Sequence, residues 1–253
     1  MSVDAAPLSV RGLTVRYDDY EAVSELSFEL TPGRLTAVVG PNGAGKSTAL
    51  KGALGLVPVA AGEIAFFGSR LSDVRSRVAY VPQRAAVDWD FPVTAGQVVE
   101  MGLYREIGWL KRVTRAHRER ATAAMERVGV ADLAGRQIAD LSGGQQQRVF
   151  LARALVQGAD LYLMDEPFAG VDAKTERAIV DLLSAMRDAG KTVLLVHHDL
   201  ATVDHYFDEV LLLNRTLVSF GPVETAFTQE QITSAYGGPL TIVGRDAPVG
   251  AAT

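Results

Sequence analysis

The chain has 253 residues, no cysteine, 25 lysines and arginines against 30 aspartates and glutamates, and a net charge of −5. The lack of cysteine excludes disulfides, thiolate metal sites and cysteine nucleophiles, and the acidic balance argues against a nucleic-acid partner, whose phosphates favour a basic face. No apolar run approaches the ~18 residues of a membrane span, and the first residues lack the basic and apolar stretches of a leader, so the expectation is a soluble cytoplasmic chain that reaches a membrane only through a partner.

Residues 8–17 and 28–30 alternate apolar and polar side chains, as half-buried strands do. Thr31-Pro32-Gly33 reads as a turn. Leu35-Thr36-Ala37-Val38-Val39 is a short apolar, β-branched run that predicts a buried strand, and residues 46–56 read as the helix after it. Strands are then predicted at 63–67 and 78–81, a helical stretch over 93–133, and a helix over 143–156. An apolar strand over 161–164, an amphipathic helix over 173–189 and a buried strand over 192–196 follow. Residues 210–213 and 216–220 form a closing hairpin, 221–236 a loop and short helix, and 237–253 a flexible tail rich in Gly, Pro, Ala and Thr. Strands and helices that alternate in this way predict an α/β fold.

Between the strand at 35–39 and its helix lies Gly40-Pro41-Asn42-Gly43-Ala44-Gly45-Lys46-Ser47-Thr48, which fits the phosphate-cradling pattern G-x-x-x-x-G-K-[ST]. The glycines let the backbone approach phosphates, and the turn's N–H groups and the helix N-terminus offer partial positive charge to an anion. Lys46 reaches the β- and γ-phosphates, and Ser47 places its hydroxyl on Mg²⁺.

Two further constellations carry chemistry. Asp165-Glu166 ends the apolar run 161–164, and ligands of parallel sheets bind beyond the carboxyl ends of the strands. One carboxylate there can hold Mg²⁺ beside the P-loop while its neighbour orients an attacking water. Leu141-Ser142-Gly143-Gly144-Gln145 places a Ser at a helix N-cap, with first-turn N–H groups open to an anion. A plain capped helix explains Ser142. It does not explain two adjacent glycines, which weaken a helix start by up to ~1 kcal/mol each. His197-His198-Asp199, with Asp204 and His205 nearby, invites a metal-site reading. Adjacent strand residues point to opposite faces, and His205 falls on the helix that follows, so a metal site is not expected.

Taken together, these motifs resemble those of the ATP-binding-cassette (ABC) ATPases over about residues 8–221, in the family's order. The resemblance implies a P-loop NTPase (RecA-like) core with an antiparallel β subdomain and a helical signature subdomain. It implies one cassette over 1–236, with the core at 8–85 and 159–221 and the Q-loop and helical subdomain at 86–158. By the same resemblance, Gln83 senses the γ-phosphate and Mg²⁺, Asp165 is the metal-binding aspartate, and Glu166 is the catalytic glutamate. His198 is the switch histidine, because the family's histidine directly precedes an Asp, and His197 stands where the family often has Thr or Ser. Asp172 falls in the loop at the dimer interface. Tyr17, 29 residues before Lys46, takes the place of the aromatic that stacks on adenine. ATP and Mg²⁺ are the implied cofactors. The implied assembly is an ATP-dependent homodimer in which Ser142, Gly143, Gly144 and Gln145 of one copy close on the nucleotide of the other.

The stretch Pro82 to Thr94, Gly108-Trp109-Leu110 and Pro167 to Asp172 resemble the manganese, zinc and iron importer ATPases. That similarity implies an integral membrane permease as partner, an extracytoplasmic metal-binding protein acting indirectly, and a place on the cytoplasmic face of the membrane. Trp89, Phe91 and Pro92 are apolar groups in a surface loop, where aromatics either anchor an interface or pack inward. The family places a groove for the permease's cytoplasmic helix in this region. Importers of iron-siderophore or haem are the alternative cargo. A non-transport ABC ATPase is the alternative class, but neither a long coiled-coil insert nor a second cassette is present. After Gly221 only about 30 residues remain, which implies no appended regulatory domain.

Overall fold

Five of the apolar runs form a parallel sheet because each is buried on both faces. The computed structural model describes residues 5–83, 91–108 and 111–238. Its larger sheet has the order β5-β6-β7-β3-β8-β9, built from β3 (Leu35–Val39), β5 (Val78–Val81), β6 (Leu161–Met164), β7 (Thr192–Val196), β8 (Glu209–Asn214) and β9 (Thr216–Pro222). All pairings are parallel except β8–β9, the closing hairpin on the edge. A smaller antiparallel sheet, ordered β2-β1-β4, contains β1 (Ser9–Tyr17), β2 (Tyr20–Glu29) and β4 (Ala61–Ala65).

The two faces of the large sheet build two cores. Val38, Leu161, Leu163, Leu194 and Leu211 point toward α1 (Lys46–Ala53) and the small sheet, where they meet Leu13, Val15, Val23 and Leu26. Ala37, Val39, Tyr162, Val193 and Leu212 point the other way, toward the helices. Those are α3 (Ala95–Glu100), α4 (Tyr104–Ile107), α5 (Arg115–Arg127), α6 (Gly143–Leu155), α7 (Ala173–Asp188), α8 (Val203–Tyr206), α9 (Val223–Ala226) and α10 (Gln229–Tyr236); the short α2 (Leu71–Val74) follows β4. Among the described residues, no helix is long and apolar enough to cross a membrane.

Several boundaries differ from the sequence reading for local reasons. The strand expected at 28–30 runs from Tyr20 to Glu29; its first part escapes the alternation pattern because Glu25, at φ 48°, is left-handed and shifts the two-residue period. The strand expected at 63–67 ends at Ala65, since Phe66 turns back onto Ser69. The helix after the P-loop stops at Ala53, three residues short of the expected end. Among the described residues the helical stretch 93–133 holds three α-helices and two short 3-10 turns: Thr94 and Thr114 start fresh capping boxes, and Gly108 closes α4 at φ 75°. Residues 221–236 hold two short helices. Phe91 is 59% exposed. Trp89, Trp109, Leu110 and the tail from 239 onward lie outside the described residues.

Candidate active site

β3 runs through the centre of the large sheet and delivers the P-loop at its carboxyl end. Gly40 and Gly45 are fixed by close backbone approach: a Cβ on Gly40 would strike the Leu213 carbonyl, and one on Gly45 the Ala22 carbonyl. Gly43, at φ 81°, faces open space. The Ala44 N–H closes the turn onto the Pro41 carbonyl at 3.1 Å. Lys46 is buried, and its Nζ donates to the carbonyls of Gly40 at 2.7 Å and Pro41 at 2.9 Å. Burial pushes the Lys46 ammonium below its ordinary pKa, against the pull of Glu166 and Asp165. Asn42 and Gly43 are exposed, and Ser47 and Thr48 half-buried, so the loop presents its backbone outward.

The neighbouring strands add side chains from far along the chain. Ser47 Oγ donates to Asp165 Oδ1 at 2.7 Å. Asp165 is fully buried, and its Oδ2 has no hydrogen-bond partner among the described residues. Burial raises its pKa, with the Ser47 bond and the Lys51 charge pulling back. A buried carboxylate oxygen left unpaired beside a hydroxyl is a donor set suited to a hard divalent cation. The next residue, Glu166, stands at φ 53° just past β6. Its Oε2 accepts from Gln83 Nε2 at 2.8 Å, and its Oε1 lies 2.6 Å from His198 Nε2. Lys46, Ser47, Gln83, Asp165, Glu166 and His198 therefore share one site, at the ends of β3, β5, β6 and β7.

The structure does not bring the remaining expected residues into this cluster within one chain. Tyr17 is 43% exposed at the tip of the β1–β2 hairpin, paired with Tyr20. Ser142 caps α6: its Oγ accepts from the Gln145 N–H at 3.4 Å, while its own N–H donates to Gln145 Oε1 at 2.9 Å. That capping box takes up one of the N–H groups the sequence left open to an anion; those of Gly143 and Gly144 have no intrahelical partner by geometry. The second glycine has a packing reason, since a Cβ on Gly144 would sit 3.1 Å from the Gly170 carbonyl. Asp172 is exposed and caps α7, accepting from the Thr175 N–H at 2.9 Å.

Two residues beside the site play parts the sequence reading did not assign. Arg215, at φ 62° in the β8–β9 turn, donates its N–H to the Ala44 carbonyl and accepts from the Ser24 N–H. It thereby ties the P-loop to β2. The turn is legible in the sequence, but nothing local links it to residue 44. His197 is 4% exposed, packed against Phe168 and Phe207 with ring centroids 5.5 and 5.1 Å away. Burial pushes its pKa down to about 4. Its Nε2 meets Thr202 Oγ1 at 2.7 Å, and the Thr202 hydroxyl already donates to the Asp199 carbonyl, so the neutral ring carries its proton on Nε2. His197 and His198 lie past the end of β7, so strand alternation does not set their sides; His198 is exposed, with its ring beside Glu166, and among the described residues no group of three metal-ligating side chains assembles.

Residues 23–169 match the family model described as ABC transporter. The chain is 54% identical over 237 residues to the manganese transport system ATP-binding protein MntB of Bacillus subtilis, covering 94% of this chain and 95% of that one. This chain belongs to the ABC transporter family. A second ABC relative, the zinc transport system ATP-binding protein TroB of Treponema pallidum, is 53% identical over 241 residues, covering 95% of this chain and 91% of its own. Among solved structures, an inward-facing metal-chelate type ABC transporter superposes with a TM-score of 0.80 at 28% identity, over 92% of this chain and 90% of that one. As an ABC cassette the chain has the P-loop NTPase fold, binds nucleotide and hydrolyses ATP.

Proposed function

We propose that this chain is the ATP-hydrolysing subunit of an importer for a transition-metal ion, manganese or zinc, working on the cytoplasmic face of the membrane through a separate permease. Hydrolysis is supported chiefly by the Ser47–Asp165 and Gln83–Glu166–His198 contacts beside the P-loop. The cargo reading is supported by the manganese and zinc transport relatives at 54% and 53% identity. An extracytoplasmic metal-binding protein would deliver the ion to the permease, not to this subunit. Residues 1–236 act as one cassette, with 86–158 as the arm that carries the signature turn.

Lys46 and the N–H groups of the loop from Gly40 to Thr48 take the β- and γ-phosphates, and Tyr17 stacks on adenine. Ser47 and Asp165, with Gln83, would hold Mg²⁺, which would supply charge neutralisation for the phosphate oxygens; the unpaired Asp165 oxygen is the observation that fits it. Glu166 accepts the proton of the attacking water, whose oxygen bonds to the γ-phosphorus as the bond to the β-phosphate oxygen breaks and ADP leaves. Gln83 and His198 hold the Glu166 carboxylate from either side, one on each oxygen, and each oxygen keeps a lone pair with which to take a water. The anion site is completed by Ser142, Gly143, Gly144 and Gln145 of a second copy, with Asp172 at the joint between them.

The test is co-purification of tagged Glu166→Gln protein with ATP from membranes of its host, with partner identification, together with metal uptake in a deletion strain. A polytopic membrane partner and lost manganese or zinc uptake are expected. A soluble partner with unchanged uptake overturns the importer reading and leaves the ATPase assignment standing.

A further inference from the structure

The loop that takes the phosphates and the hairpin that carries Tyr17 belong to different sheets, and Arg215 touches both. It lies in the β8–β9 turn at φ 62°, a left-handed conformation that is strained for any residue but glycine. Its N–H donates to the Ala44 carbonyl of the P-loop at 2.9 Å, and its carbonyl accepts from the Ser24 N–H of β2 at 2.8 Å. Its guanidinium lies over the Tyr20 ring, 4.9 Å from the centroid. Tyr20 begins β2 and stands directly opposite Tyr17 in the antiparallel ladder. Side chains opposite one another share a face of the sheet, so Tyr17, Tyr20 and Arg215 lie in one row that ends at the P-loop.

The base of the hairpin is fixed against the loop. The Ala22 carbonyl comes so close to Gly45 that a Cβ there would sit 2.3 Å from it. The tip is held less firmly, since Tyr17 and Tyr20 are 43% and 45% exposed. Arg215 is itself exposed and makes no ion pair among the described residues, so its charge is not committed to a carboxylate. A glycine would adopt the same backbone without strain and keep both main-chain hydrogen bonds. What the arginine side chain adds is the contact with Tyr20.

We propose that Arg215 is a positioning residue for the nucleotide: through Tyr20 it holds the base-stacking face of Tyr17 at a set distance from the phosphate loop. The inference rests on the stacking of adenine on Tyr17 and adds the residue that aims that ring. One nucleotide spans the hairpin and the P-loop, so its affinity depends on how the two halves of the site are spaced. A spacing set in advance removes an ordering cost from binding. A ligand with phosphates and no base uses the loop alone and does not sense that spacing.

The test titrates ATP and, separately, inorganic tripolyphosphate, each with Mg²⁺, onto wild-type, Arg215→Gly, Arg215→Lys and Tyr20→Leu protein, with thermal unfolding of each. Arg215→Gly keeps the left-handed backbone and removes only the guanidinium and its stem. It should weaken ATP binding about 2- to 5-fold, the range that an exposed cation–π contact supports. Tripolyphosphate binding should be unchanged and the unfolding temperature should not fall. Tyr20→Leu should match that loss, and a variant with both changes should lose no more than either alone. Arg215→Lys keeps a cation over the ring and should recover most of the affinity. Equal weakening of both ligands, no loss for ATP, or no recovery by Arg215→Lys overturns the proposal. Tyr17→Ala separates the two roles. If that variant binds ATP as tightly as wild type, the stacking role of Tyr17 and the positioning role of Arg215 both fall. If it binds ATP weakly while Arg215→Gly does not, only the role of Arg215 falls. If Arg215→Gly does not fold, Tyr20→Leu decides the question alone.

Discussion

The nucleotide-facing cluster and the signature turn are built in opposite ways. The first draws polar groups from the ends of four strands and wires them over long separations, Ser47 to Asp165 and Gln83 to Glu166. The second closes on itself within four residues, Ser142 with Gln145, at the surface. One chain thus holds the phosphate loop, the carboxylates and the histidine together, whereas its signature turn faces outward. On the two-copy arrangement proposed above, this outward-facing helix start would close on the nucleotide of another copy.

Four measurements sharpen or break that contrast. The largest effect is expected for Glu166→Gln, which should lower ATP turnover about 100- to 10,000-fold while nucleotide binding persists. Phosphate release measures the first, and gel filtration with ATP should show a dimer; an unchanged elution volume sinks the two-copy arrangement. Next comes His197, the buried counterpart of His198. Its folded pKa of about 4 lies below the ordinary 6.5, so as pH falls the unfolded chain takes up the proton first. Its contribution is complete above about 6.5 and is lost toward 4, amounting to about 3 kcal/mol at the acid end. Asp199 and His198 beside it work in opposite directions, and burial outweighs both. Urea unfolding from pH 4 to 7 should show a steeper acid slope for the native protein than for His197→Gln.

Asp165→Asn should weaken Mg²⁺-dependent nucleotide binding about 10- to 100-fold, read by titration with and without chelator. It should not lower the unfolding temperature of the nucleotide-free protein, because it removes a buried charge with an unpaired oxygen. A clear drop would mean that Asp165 serves the fold rather than the ion. The smallest effect belongs to the signature turn: Ser142→Ala deletes an N-cap, costing about 1 kcal/mol. Thermal unfolding should fall by roughly 2–4 °C. A larger loss would show that the turn is part of the core and not a surface awaiting a partner.

Much of the site was legible because its signals are local. A buried strand, a glycine turn and Lys-Ser at a helix start announce phosphate binding within fourteen residues, from Leu35 to Thr48. Likewise the run 161–164 ending in Asp165-Glu166 announces carboxylates at a strand end. The strand β2 was largely missed because Glu25 breaks its alternation, and the helical stretch 93–133 was over-extended because Ala, Arg and Glu favour helix even where caps divide it. The reason for Gly144 was also hidden, since it is the carbonyl of Gly170.

By itself the sequence determined the chemistry on offer: a P-loop, two adjacent carboxylates, a capped glycine turn and a histidine ahead of an aspartate. Each is set by residues within a few positions of one another, where propensity and spacing act. Only the tertiary structure decided which of these meet. The order β5-β6-β7-β3 is not the order of the chain, and it is this order that sets Ser47 on Asp165 and places Gln83 and His198 on either side of Glu166. The same packing turned His197 inward and set Arg215 over Tyr20 beside the P-loop, because the surroundings of a side chain depend on elements that the chain reaches only after folding.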